Sequence, residues 1–141
     1  MIFIKLKHFI IVICLSVFVF LFVSCGSDEN IDNNRELSVY QRISADEAYE
    51  KMRTETSFII LDVRTPDEFS QMRIPGSILI PDSEITNRAE SELPDKNALI
   101  LVYCRTGRRS KNATNELISM GYTNVFDFGG IADWPYEIEK D

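Results

Sequence analysis

Residues 98–122, ALILVYCRTGRRSKNATNELISMGY, place one cysteine directly after an apolar run and follow it with three arginines within five residues. The run from Ala98 to Tyr103 has strand length and no charge, as expected of a strand covered on both faces. Ala113, Leu117 and Ile118 then recur on one helical face, Met120 lies near the end, and Gly121 supplies a C-terminal stop. The intervening CRTGRRS must form the turn between strand and helix. Cys104 therefore stands just past the C-terminal end of a central strand, where open parallel sheets place their ligand crevice.

The same alternation extends outward. SADEAYEKM opens with Ser44 and Glu47 in capping-box spacing, and Ala48 and Met52 continue one apolar face, so a short helix starts at about Ala45. FIILDV, Phe58 to Val63, is a second buried strand. TPDEF follows it, with Thr65 as N-cap, Pro66 at the first helical position and Glu68 completing another capping box. SILIP and NVFDF, the latter Asn124 to Phe128, are two further strand-like runs. Continuous apolar strands alternating with helices predict an α/β fold with a central parallel β-sheet and helices on both faces.

Within the turn, Gly107 permits positive φ or close backbone approach, and the amides of such a loop can converge on one spot and hold an anion. The N-terminus of the following helix adds partial positive charge, and Arg105, Arg108 and Arg109 add full charges. These features predict a Cys104 thiol with its pKa depressed from the free value of about 8.5 and a large thiolate fraction near neutral pH. The only histidine, His8, lies in the leader region, which removes a Cys–His pair from consideration.

That leader, MIFIKLKHFIIVICLSVFVFLFVSC, has Lys5 and Lys7 ahead of an apolar block from Phe9 to Val23. The block is shorter than the roughly twenty residues a membrane-spanning helix needs, which favours an export signal over an anchor. FVSC resembles a bacterial lipobox, in which the cysteine is lipidated and becomes the first mature residue; Phe22 replaces the more usual Leu. The expected organisation is a lipoprotein signal peptide over 1–24, a disordered acidic tether over 25–36 anchored by Cys25, and a folded domain over 37–141. Cleavage would leave Cys104 as the only free thiol, unable to form an internal disulfide. From residue 25 onward, 13 Lys and Arg face 22 Asp and Glu, a formal charge of −9, which argues against a nucleic-acid partner.

Taken in order, ISADEAYE, LDVRTPDEF, IPGSILIP, LVYCRTGRRS and LISMGYTNVFDFGGIADW resemble a single-domain rhodanese, a sulfurtransferase. The resemblance implies a rhodanese-like fold over roughly a hundred residues, with Cys104 as the sulfur-accepting nucleophile and Arg105, Thr106, Gly107, Arg108 and Arg109 as its substrate-binding cradle. It implies transfer of sulfane sulfur from thiosulfate or a similar anionic donor to cyanide or a thiol through a Cys104 persulfide, with no cofactor and no metal. Asp62, Arg64, Gly76, Gly129 and Gly130 match positions that look structural in the family, and Arg73 stands where the family often has histidine. A non-catalytic binding module is the alternative, although the retained cysteine and arginines speak against it. A cysteine-loop phosphatase fits less well, because its spacing of five residues between Cys and Arg lands here on Ser110.

An exported domain of this kind would work in the cell envelope, on the periplasmic or surface face of a bacterial membrane, with a thioredoxin-like reductant as candidate partner for an otherwise oxidisable thiol. Two or more acyl chains, each contributing about 0.8 kcal/mol per buried methylene, would hold it there. The protein is expected to fractionate with membranes, and Cys25→Ala to remain unprocessed or become soluble; an unmodified Cys25 in the mature protein would exclude lipidation.

Overall fold

In a computed structural model, which describes residues 39–140, the apolar runs form adjacent strands of one parallel sheet. The leader, the Cys25 anchor and the tether lie outside the described residues. The elements are β1 (Gln41–Arg42), α1 (Ala45–Thr54), β2 (Ile59–Asp62), α2 (Pro66–Gln71), β3 (Ile78–Leu79), α3 (Ile85–Glu92), β4 (Ile100–Cys104), α4 (Arg108–Ser119) and β5 (Val125–Gly130). The strand order is β1-β5-β4-β2-β3, every pairing is parallel, and β4 lies at the centre.

Every residue of β4 is buried because each face of the sheet is covered. Ile100, Val102 and Cys104 join Ile85 and Ala89 of α3 and Ala113 and Leu117 of α4 in one core. Leu101 and Tyr103 point the other way, toward Ala48 of α1, Phe128 and Trp134. This two-residue alternation decides which side the cysteine takes. The predicted caps form: the Glu47 amide donates to Ser44 Oγ at 3.2 Å and the Glu68 amide to Thr65 Oγ1 at 3.3 Å, each glutamate reaching back to the cap amide.

Three details differ from the sequence expectation. β1 contributes only two residues, too short to stand out as an apolar run. The helix after Cys104 begins at Arg108, so CRTGRRS is not all turn: Arg105 to Gly107 make the bend and Arg108 and Arg109 open the helix. Ile118 is only partly buried, and Ser110 and Thr114 take inward positions alongside Ala113 and Leu117.

Asp62 and Arg64 fasten the C-terminal end of β2. Asp62 is fully buried and accepts the Arg64 backbone amide at 2.9 Å and its NH2 at 2.6 Å, while that NH2 also donates to the Met72 carbonyl at 2.6 Å. Removing the carboxylate charge would leave an uncompensated buried guanidinium, so Asp62→Asn should lower unfolding stability in urea by about 3 kcal/mol. A loss within experimental error would show that the pair does not hold this end of the sheet.

Candidate functional site

Cys104 is the last residue of β4 and only 1% exposed. The chain then bends within three residues, because Gly107 adopts φ 96°, a left-handed conformation disfavoured for residues with a Cβ. The bend turns the Gly107 amide back onto Cys104 Sγ at 3.1 Å. Ser110, one turn into α4, brings its Oγ to 3.6 Å from the sulfur and donates to the carbonyls of Gly107 and Gly129, at 3.1 and 3.2 Å.

The neighbouring strand is shaped to admit this bend. The β4–β5 register shifts between Val102 and Tyr103, setting Tyr103 opposite Gly129 and Cys104 opposite Gly130. A Cβ on Gly130 would lie 2.6 Å from Thr106 Cα and closer still to the Arg105 carbonyl, so only glycine lets the loop lie this near the strand. Buried Asp127 fixes the bulge, accepting the Gly129 amide at 2.9 Å, Tyr40 Oη at 2.6 Å and Arg42 NH1 at 3.0 Å.

Burial pushes the Cys104 thiol up. Hydrogen bonds from the Ser110, Thr106 and Gly107 amides and the polar contact with the Ser110 hydroxyl outweigh it, and the net result is a lowered pKa. The backbone thus supplies much of the stabilisation that the sequence reading divided among amides, helix dipole and guanidinium groups. The sequence also gave no notice of Ser110 as a sulfur contact; its place three residues after a glycine N-cap is the only local signal.

The three arginines separate. The side chains of Arg105 and Arg108 are exposed and have no hydrogen-bond or ion-pair partner among the described residues. Arg109 is half-buried, and its two terminal nitrogens donate to Glu68 at 2.7 and 2.8 Å. The Glu68 partnership raises the Arg109 pKa first, and the nearby Cys104 charge adds to it. Thr106 is exposed and contributes its amide. Arg73 pairs with Glu139 at 2.8 Å and lies over the Phe69 ring, which commits it to the C-terminal segment. Beside the loop opens a cleft of about 310 Å³ whose walls include Arg64, Glu68, Gln71, Met72, Arg105 and Ile131.

Arg109 holds the Glu68 carboxyl down at about 2, assisted by the Thr65 amide. A carboxylate whose folded pKa is depressed stabilises the fold above its ordinary pKa and loses that contribution as pH falls through the depressed value. Wild type should therefore exceed Glu68→Gln in urea stability at pH 7 by about 1 to 2 kcal/mol, allowing for the pair's partial exposure. The gap should narrow as pH drops from 4.5 toward 2. A gap independent of pH would mean that the charge contributes nothing.

Comparison with known proteins places this geometry. The rhodanese-like domain family matches residues 44–136. The chain is 42% identical to the thiosulfate sulfurtransferase PspE of Escherichia coli over 73 residues, 52% of this chain and 70% of that protein. It is 33% identical over 113 residues to an adenylyltransferase and sulfurtransferase of Meyerozyma guilliermondii, covering 74% of this chain but only 26% of that longer protein. Among solved structures, a rhodanese with anions from Escherichia coli superposes with a TM-score of 0.57 at 38% identity, covering 60% of this chain and 100% of the other. The Cys104 turn thus sits in a parallel α/β scaffold shared with sulfurtransferases, and the chain belongs to the rhodanese-like domain family.

Proposed function

We propose that this protein transfers sulfane sulfur through a persulfide on Cys104. The observation that carries the reading is the buried sulfur facing the Gly107 amide at 3.1 Å, with a thiol pKa lowered by hydrogen bonds in spite of burial. A buried thiolate with nothing to satisfy it would be an expensive group; one met by amides can accept sulfur and be regenerated as a leaving group.

In the first step the Cys104 thiolate attacks the outer sulfur of thiosulfate or a similar donor. The new S–S bond forms as the donor's own S–S bond breaks, and sulfite departs with the electron pair. The thiosulfate sulfurtransferase name of one relative supports this donor, and the solved rhodanese with anions supports an anionic ligand for the fold. In the second step cyanide or a thiolate takes the outer sulfur and Cys104 leaves as thiolate. Arg108, exposed at the first helical position, attracts the donor. Arg109, held by Glu68, fixes the first turn of α4 and with it the Ser110 and Gly107 amides.

The lipobox supports a further part of this reading: Cys25 is acylated, and the domain works at the bacterial cell envelope, where a thioredoxin-like reductant would keep Cys104 usable. Thiosulfate should add one sulfur atom to the mass of wild-type protein, with the addition mapping to Cys104. Cys104→Ser should show neither this adduct nor thiocyanate production above background while retaining its circular dichroism spectrum. Substantial turnover by Cys104→Ser would overturn the assignment.

A further inference from the structure

The cysteine turn depends on glycines that do not hold their own conformation. Gly107 and Gly129 both adopt φ 96°, and glycine populates left- and right-handed backbone about equally readily. If Gly107 relaxes, its amide leaves Cys104 Sγ, which it meets at 3.1 Å. The restraint has to come from other residues.

Two side chains supply it. In the interior, the buried Ser110 hydroxyl bridges the carbonyls of both glycines. At the surface lies Arg42 of the edge strand β1, whose side chain is 53% exposed. A Cβ on Gly107 would lie 3.3 Å from one terminal nitrogen of Arg42, and a Cβ on Gly129 would lie 2.8 Å from the other. One guanidinium plate thus occupies the space that both missing side chains leave. Asp127 pins the plate, because its carboxylate accepts Arg42 at 3.0 Å, Tyr40 Oη at 2.6 Å and the Gly129 amide at 2.9 Å. Arg42 is remote from the turn in sequence, yet contacts run from it through Gly107 to the sulfur, and through Gly129 and Ser110 to the sulfur again.

We infer that Arg42 is a positioning residue for sulfur transfer: pinned by Asp127, its guanidinium clamps Gly107 and Gly129 so that the Gly107 amide stays on the Cys104 sulfur. The planar fork is what the geometry uses. A lysine keeps the charge and reaches the carboxylate but does not cover two glycines at once. As a statement about transfer the inference rests on the sulfurtransferase reading; as a statement about the thiol it stands on the contacts alone.

The test uses Arg42→Ala, Arg42→Lys and Tyr40→Phe in the full chain, each first checked for a wild-type circular dichroism spectrum. Arg109, whose charge also acts on the thiol, keeps Glu68 and Asp82 around it in every variant. Thiolate absorbance titration, with Cys104→Ser as the blank for the other thiols, should place the Cys104 midpoint above wild type in both arginine variants. Persulfide loading at saturating thiosulfate, followed by mass, should slow about tenfold in both with KM for thiosulfate unchanged, a smaller loss than removing such a donor outright. Tyr40→Phe, which takes one hydrogen bond from Asp127, should slow loading about threefold. An arginine with a merely structural role would shift the urea midpoint and leave titration and loading as they are. A wild-type titration midpoint in either arginine variant would overturn the clamp, in Arg42→Lys because the charge alone would then suffice; if Arg42→Ala does not fold, Arg42→Lys decides. Absence of any mass gain in wild type removes the transfer reading, while the titration, which needs no donor, still decides the clamp.

Discussion

One backbone amide, Gly107 N–H at 3.1 Å from Cys104 Sγ, is the interaction around which this end of the sheet is built. Burial opposes charge on sulfur, so a thiolate at the end of a central strand needs donors that do not have to be recruited from water. The chain can provide them only by folding back within three residues, which requires positive φ at Gly107 and a neighbouring strand without a Cβ at Gly130. The bulge in β5, the Asp127 carboxylate and the Arg42 guanidinium lying against Gly107 and Gly129 all follow from that requirement. Much of what conventionally looks like structural support is here the means of aiming amides at one atom.

The arginines divide the remaining electrostatic work. Arg109 is bound to Glu68 of α2, so its charge is largely spent on joining two helices across the turn. Arg105 and Arg108 keep theirs available, one on the wall of the cleft and one at the start of α4. In a chain of net charge −7, two unpaired cations beside a cysteine set a local potential opposite in sign to that of the molecule. Small anions would be drawn to this spot and held off elsewhere.

The strands and caps were readable because their causes are local. Buried parallel strands need continuous apolar residues, and a capping box needs two side chains three positions apart; β2, β4 and the starts of α1 and α2 satisfy both. Cys104 was readable for the same reason, at the C-terminal end of the apolar run, although it closes β4 where the sequence expectation set it just past the strand. What escaped depends on distant partners. Glu68 lies 41 positions from Arg109, and nothing near either residue announces their pairing. The two residues of β1 are strand only because β5 is beside them. The helix start at Arg108 follows from the left-handed Gly107, a conformation that composition permits but does not impose.

The central claim is that loop amides overcome burial to lower the Cys104 thiol pKa, and the most direct measurement is a thiolate absorbance titration of the wild-type domain, with Cys104→Ser as the blank. The account predicts a midpoint below the value of about 8.5 typical of a free cysteine. A midpoint at or above that value would mean that burial prevails over the amides, and would contradict Cys104 as a sulfur carrier activated by its own turn.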